Sequence, residues 1–244
     1  MARYFLELSY DGSEYNGWQS QPNGITIQET IEKSISKVLH NDIKIVGCGR
    51  TDTGVHASYY VAHFETDKQV KVEHPDFLYH LNCTLPRDIA IQNIKKVESD
   101  MHARFSATER EYKYYISTVK SAFRNKHAYQ YFTPLDIEQM NEAAKLLIGI
   151  NDFTSFAKLH SSNSTDICHV MKAQWHKDGN TLVFTISANR FLRNMVRSIT
   201  GTLIDVGRGK LSIQDFKHIL ELRDNRKASS SAPANGLFLT KITY

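Results

Sequence analysis

The sequence predicts an α+β protein whose sheets are mainly antiparallel and flanked by helices. Three patterns carry that expectation: alternating apolar positions in RYFLELSY and REYKYYIST, three-to-four-residue apolar spacing in TIQETIEKSISKVL, and a hairpin signal at Asp178-Gly179. Strands interspersed with helices and hairpins recur in the second half, although no sequence repeat is detectable.

In chain order, RYFLELSY places Tyr4, Leu6, Leu8 and Tyr10 on one side of a strand that ends at the turn signal Asp11-Gly12. After a polar loop, Ile27, Ile31, Ile35 and Val38 fall at helical spacing, with Thr26 and Glu29 positioned as a capping box. DIKIV and SYYVAHFE read as strands on either side of a glycine-rich motif, and DIAIQNI as another. REYKYYIST alternates through Tyr112, Tyr114 and Ile116. Beyond it, Asp136 to Ile148 reads as a helix with Asp136 and Gln139 at capping positions, and QWHKDGNTLVFTISA as a hairpin. A helix is expected from about Arg190 to Val206 and a shorter one from Ile213 to Leu222, before GLFLTKITY closes as a strand. Two long polar stretches, HSSNSTD after Leu159 and RDNRKASSSAPANG before the last strand, read as surface loops able to border a site.

A chain of 244 residues accommodates one large domain or two modest ones, and 41% hydrophobic with 23% charged residues is ordinary globular composition. The net charge of +4 is compatible with a polyanionic partner without requiring one. Cys48, Cys83 and Cys168 lie far apart and form no C-x-x-C pair, which fits a reducing compartment. No apolar run approaches the ~18 residues of a membrane span, and MARYFLELSYDG is not a signal-peptide core. A soluble, cytoplasmic protein is the expectation.

The densest chemistry lies in GCGRTDTGVHA, Gly47 to Ala57. In an extended segment Arg50 and Asp52 share a side, so the arginine would keep the carboxylate ionised, while the glycines admit close approach of a ligand. A simple Asx-type turn accounts for the same residues. On the expected Arg190 helix, Leu192, Met195, Val196, Ile199 and Leu203 form an apolar stripe, with Arg190, Arg193 and Arg197 together away from it. Such an arginine line suits phosphate contacts, a buried carboxylate, or merely water. In RFSATEREYKYY, Tyr112 or Tyr114 suits stacking on an unpaired base, and equally a strand with one buried face. His63-Phe64-Glu65 matches the H-x-E of zinc deaminases, but no P-C-x-x-C follows, so a metal site is not indicated. Phosphate-binding, dinucleotide and nucleophile-elbow glycine motifs are missing as well.

In this order, YDGSEYNGWQSQ, TIQ, GRTDTGVHA, LNCTLPRDIAI, HARFSATEREYKYYI, NDFTSF, FLRNMVRSITG and APANGLFL resemble the TruA family of tRNA pseudouridine synthases over nearly the whole chain. The resemblance implies two similar subdomains, 1–105 with the aspartate loop and 106–244 with the tyrosine strand and arginine helix, and a cleft between them. It further implies isomerisation of uridine to pseudouridine at positions 38 to 40 of the tRNA anticodon stem-loop, without cofactor or metal, by a homodimer that tRNA bridges. Asp52 would then be the catalytic carboxylate and Arg50 would enter the space vacated by the target base. Tyr112 would stack on the flipped base, Arg197 would pair with Asp52, and Leu237 would help wall the pocket; from the arginine line itself, Arg193 is expected to serve affinity for the RNA. Arg190 departs from the pattern, which leads one to expect a small residue there.

Overall fold

The computed structural model describes residues 1–66, 72, 74–158 and 165–244, so most of the HSSNSTD loop lies outside the described residues. These residues fall into two units: Met1–Thr108 with Leu239–Tyr244, and Glu109–Phe238. Each is α+β, as the alternating and helical patterns predict.

The first unit is built on β1 (Ala2–Tyr10), which pairs antiparallel with β3 (His56–Thr66) on one side and β4 (Ile89–Val97) on the other. Tyr4, Leu6, Leu8 and Tyr10 are all buried, as the alternation requires; Phe5 on the opposite face is buried too, its ring 5.1 Å from that of Tyr244. The expected DIKIV strand shrinks to β2 (Val46–Gly47), which pairs with β3. Its Ile43 and Ile45 nonetheless bury two residues apart, as extended chain does.

Helix α1 (Ile27–Leu39) begins where Thr26 caps it, the hydroxyl accepting from the Glu29 amide at 3.4 Å. Glu29 itself reaches Lys33 one turn on. Leu39 rather than Val38 completes the buried stripe of Ile27, Ile31 and Ile35, a spacing of four instead of three. A second helix, α2 (Pro75–Thr84), was not expected from the sequence. Pro75 opens it, a position where its missing N–H is harmless, and its buried face is limited to Phe77 and Leu81.

The second unit centres on a pair of antiparallel strands, β5 (Glu109–Ser117) and β8 (Thr181–Ala188), with β7 (Val170–Asp178) on the far side of β8 and short β6 (Tyr129–Gln130) parallel to β5. Every residue of β8 is buried, as befits the middle strand. Asp178 pairs with Thr181, so the hairpin turns on Gly179 and Asn180, one residue later than the Asp178-Gly179 reading; Gly179 takes φ +56. Helix α3 (Ile137–Lys145) is capped by Asp136, which accepts from the Gln139 amide at 3.0 Å. Bonds from Leu146, Leu147 and Ile148 back three residues then tighten its end short of Ile148.

The arginine helix departs most from expectation. Helix α4 spans Met195–Gly207, not Arg190–Val206, because Asn194 adopts φ +65 and breaks the helical path before it. The apolar stripe is buried as expected, but so is nearly every other α4 residue. The hydroxyls of Thr200 and Thr202 donate to the carbonyls of Val196 and Ser198, which lets polar side chains sit inside. Helix α5 (Ile213–Leu222) carries a full capping box between Ser212 and Asp215. The last strand, β9 (Leu237–Thr243), starts in the second unit and continues into the first, where Thr243 accepts from the Thr108 amide at 2.8 Å.

Candidate active site

In the first unit, the glycine-rich motif is a turn held from beneath by YDGSEYNGW. The Trp18 amide donates to the Thr51 carbonyl at 3.2 Å, the Thr51 hydroxyl lies 2.8 Å from Tyr10 Oη in a buried contact, and the Val55 amide closes the bend on the Asp52 carbonyl at 3.1 Å. Gly17, at φ +81, permits this contact: a Cβ there would stand 2.4 Å from Thr51 O and 3.1 Å from the Asp52 carbonyl carbon. Gly47 plays the same part at the entry, where a Cβ would meet Tyr60 Oη at 2.1 Å and the Trp18 ring at 2.6 Å. Trp18 and Tyr60 stack 4.0 Å apart, and Tyr60 Oη donates to the Gly49 carbonyl. Thr51 is thereby buried while Asp52, next to it, stays half-buried.

Strand β2 ends at Gly47, the chain bends at Cys48-Gly49, and a turn follows at Thr53-Gly54. Arg50 is exposed, and its Nε donates to Gln19 Oε1 at 3.2 Å, tying the turn to the GWQSQ segment. His56 is fully buried, its Nδ1 accepting from the Gly12 amide at 3.1 Å. In the same unit, the H-x-E pair is structural: His63 Nδ1 accepts from the Ala103 amide, and Glu65 holds the Arg3 guanidinium.

In the second unit, Tyr112 lies half-buried on β5 opposite Ile186, with its ring edge-on to Phe191 at 5.2 Å. Tyr114 is instead wholly buried and donates to the Pro233 carbonyl at 2.8 Å; burial drives its hydroxyl well above the ordinary tyrosine range. Of the two tyrosines the sequence left open, Tyr112 is therefore the one with exposed surface to offer a base. Leu237 is buried directly after the Ala234–Gly236 turn.

The three arginines do not form a helical line. Arg190 and Arg193 precede α4, Arg193 exposed with its carbonyl accepting from the Lys158 amide, and only Arg197 is on the helix. Half-buried Arg197 donates through Nε to the Ala232 carbonyl at 2.8 Å and accepts the Ala232 amide at its own carbonyl. The RDNRKASSSAPANG loop is thus clamped onto α4, helped by a 3.1 Å bond from the Ser229 amide to Thr202 Oγ1 and by Gly201, where a Cβ would stand 2.0 Å from Ser230 O. Sequence pattern gave no hint of this clamp, because its partners are backbone groups.

A family model described as tRNA pseudouridine synthase matches residues 8–106 and 143–244. The chain belongs to the tRNA pseudouridine synthase family. Its relatives include the tRNA pseudouridine synthase A of Bacteroides fragilis, 51% identical over 243 residues that cover 99% of this chain and 96% of the relative. That of Bacteroides thetaiotaomicron is 49% identical over 247 residues (100% and 91%), and that of Thermoanaerobacter pseudethanolicus 41% identical over 246 residues (100% of both). Within the synthase family match, the first segment contains the whole Gly47–Ala57 turn and its Tyr10–Trp18 support. The second contains Arg193, Arg197 and Leu237, while Tyr112 lies between the two segments.

Proposed function

We propose that this chain isomerises uridine to pseudouridine in tRNA, at positions 38 to 40 of the anticodon stem-loop, with Asp52 as the catalytic carboxylate. The observation that carries the reading is the fixed turn: buried Thr51 and close-packed Gly17 and Gly47 hold the backbone around an aspartate that stays half-exposed. A preorganised acid of this kind is what the chemistry asks for. The bond from the ribose C1′ to uracil N1 breaks, the detached base turns, and C1′ rejoins it through C5. N1 gains a proton and C5 loses one, with no net oxidation or hydrolysis.

The base must first leave the stack at a cost of a few kcal/mol. In this proposal Arg50 enters the vacated space, for which its exposed side chain is suited, and Tyr112 supplies a ring face to the flipped base. Buried Leu237 closes the apolar wall that keeps water from the intermediate. Arg197 pairs with Asp52, and exposed Arg193 contacts phosphate. The protein acts in the cytoplasm as a homodimer; no helix among the described residues is long and apolar enough to cross a membrane.

The test is incubation of purified protein with tRNA transcripts tritiated at uracil C5, followed by site mapping. Wild type releases tritium and forms pseudouridine, whereas Asp52→Asn binds the same tRNA and releases none. Turnover by Asp52→Asn would remove that carboxylate from the mechanism. Binding without product by the wild type would reduce the chain to an RNA-binding module, and free uracil would make it a glycosidase.

A further inference from the structure

The connection from β5 to β6 lies between the two segments matched by the family model and contains none of the residues assigned above. From Thr118 to Pro134 the sequence carries Lys120, Arg124, Lys126 and His127 and no Asp or Glu. Amid these cations Phe123 is 93% exposed, and Phe132 is 57% exposed. A floppy loop would explain such a ring, but this one is fastened. Gln130 Nε2 donates to Ser121 O at 2.8 Å, the His127 amide to Arg124 O at 3.0 Å, and the Arg124 guanidinium to Thr181 Oγ1. Asn235 Nδ2 donates to both Asn125 O, at 2.9 Å, and Ala128 O, at 3.1 Å. Asn235 sits in the turn immediately before Leu237, so the loop is bonded to the segment that presents this pocket residue.

We propose that this loop is a second RNA-contact surface, in which Phe123 stacks on an unpaired base of the tRNA while Lys120 and Lys126 neutralise the flanking phosphates. The proposal rests on the reading that the chain acts on tRNA. Charge selects the occupant: a stretch with four basic side chains and no acid of its own complements a phosphodiester chain, although Asp178 lies beside Arg124, and lysine is depleted where protein surfaces meet. The ring then adds what phosphate contacts lack, a π-face that any unpaired base can cover.

The experiment measures tRNA affinity against salt in the Asp52→Asn background, which separates binding from turnover. Phe123→Ala is expected to weaken binding about fivefold or more with an unchanged salt slope, and Phe123→Trp to retain affinity. Because Trp18 and Trp175 are both buried, the new indole at position 123 dominates the exposed emission and is quenched when tRNA binds. Lys120→Ala with Lys126→Ala lowers the slope by about 1 per lysine. Unchanged affinity in Phe123→Ala, or an unquenched indole in a saturated complex, overturns the loop's role and leaves the isomerase reading intact. Loss of all tRNA binding in wild type and in the Asp52→Asn parent alike overturns both, whereas absence of pseudouridine from wild type with the Phe123 effects present removes the isomerase reading alone.

Discussion

Gly17 and Thr51 touch backbone to backbone: with φ +81 at Gly17, the Thr51 carbonyl occupies the space where a side chain would begin, 2.4 Å from an ideal Cβ. The position of Asp52 is therefore set from a segment 35 residues earlier, and the two parts of the sequence signature form one object.

Gly17→Ala is accordingly expected to strain its own backbone and push the aspartate turn outward. The loss of stability exceeds about 1 kcal/mol, and turnover falls further than tRNA affinity does. Chemical denaturation alongside single-turnover kinetics reads both; wild-type turnover in a folded variant would detach the turn's pose from catalysis.

Gly201→Ala sets two effects of opposite sign against each other. Helix propensity favours alanine by about 0.8–1.0 kcal/mol, whereas the Ser230 carbonyl leaves no room for a methyl group. Overpacking of this kind costs about 1–3 kcal/mol, so the variant should melt lower, by roughly 2–4 °C for each net kcal/mol. A higher melting temperature would show that the loop yields easily.

Arg197→Ala and Arg193→Ala separate a clamp from a surface charge. Loss of Arg197 removes the bond from its Nε to Ala232 O and loosens the loop ahead of Leu237, so melting temperature and turnover both drop. Loss of exposed Arg193 lowers melting less than loss of Arg197 does and reduces the salt slope of tRNA binding by about 1. Equal, small effects from both would leave the clamp without consequence.

Acid should destabilise the first unit through His63. Burial, with the charges of His102 and Arg3 adding to it, pulls its pKa down to about 4 from an ordinary 6.5. The folded state therefore holds the ring neutral while the unfolded chain takes up the proton, so this contribution is complete above pH 6.5 and shrinks as pH falls toward 4. The loss reaches about 3 kcal/mol by pH 4, and His63→Gln should flatten that part of the pH–stability curve.

Elements with one dominant periodicity were legible in the sequence. Strand β1 and α5 match their patterns because the expected apolar positions are buried and the turn or cap is encoded beside them, whereas the hairpin was legible from its turn glycine alone, one residue off, since β8 is buried on both faces. Helix α2 escaped because only Phe77 and Leu81 face the core and Pro75 looks like a breaker. The first residues of the expected arginine helix were misplaced because Leu192 continues the apolar spacing of α4 although Asn194 interrupts the backbone. At the site, Asp52 and the glycines were visible as a motif, while the Gln19 partner of Arg50 and the clamp on Arg197 were not. Those depend on carbonyls and amides brought close only by the tertiary path.

The partition of the chain also bears on how it reaches this state. Glu109–Phe238 is one unbroken stretch, whereas Met1–Thr108 needs Leu239–Tyr244, including the carbonyl of Thr243 that receives the Thr108 amide. Closing so distant a pair is entropically costly until the intervening polypeptide has contracted. Refolding kinetics should therefore have the contiguous body gain its protection from amide exchange first, with the aspartate-bearing body completed last.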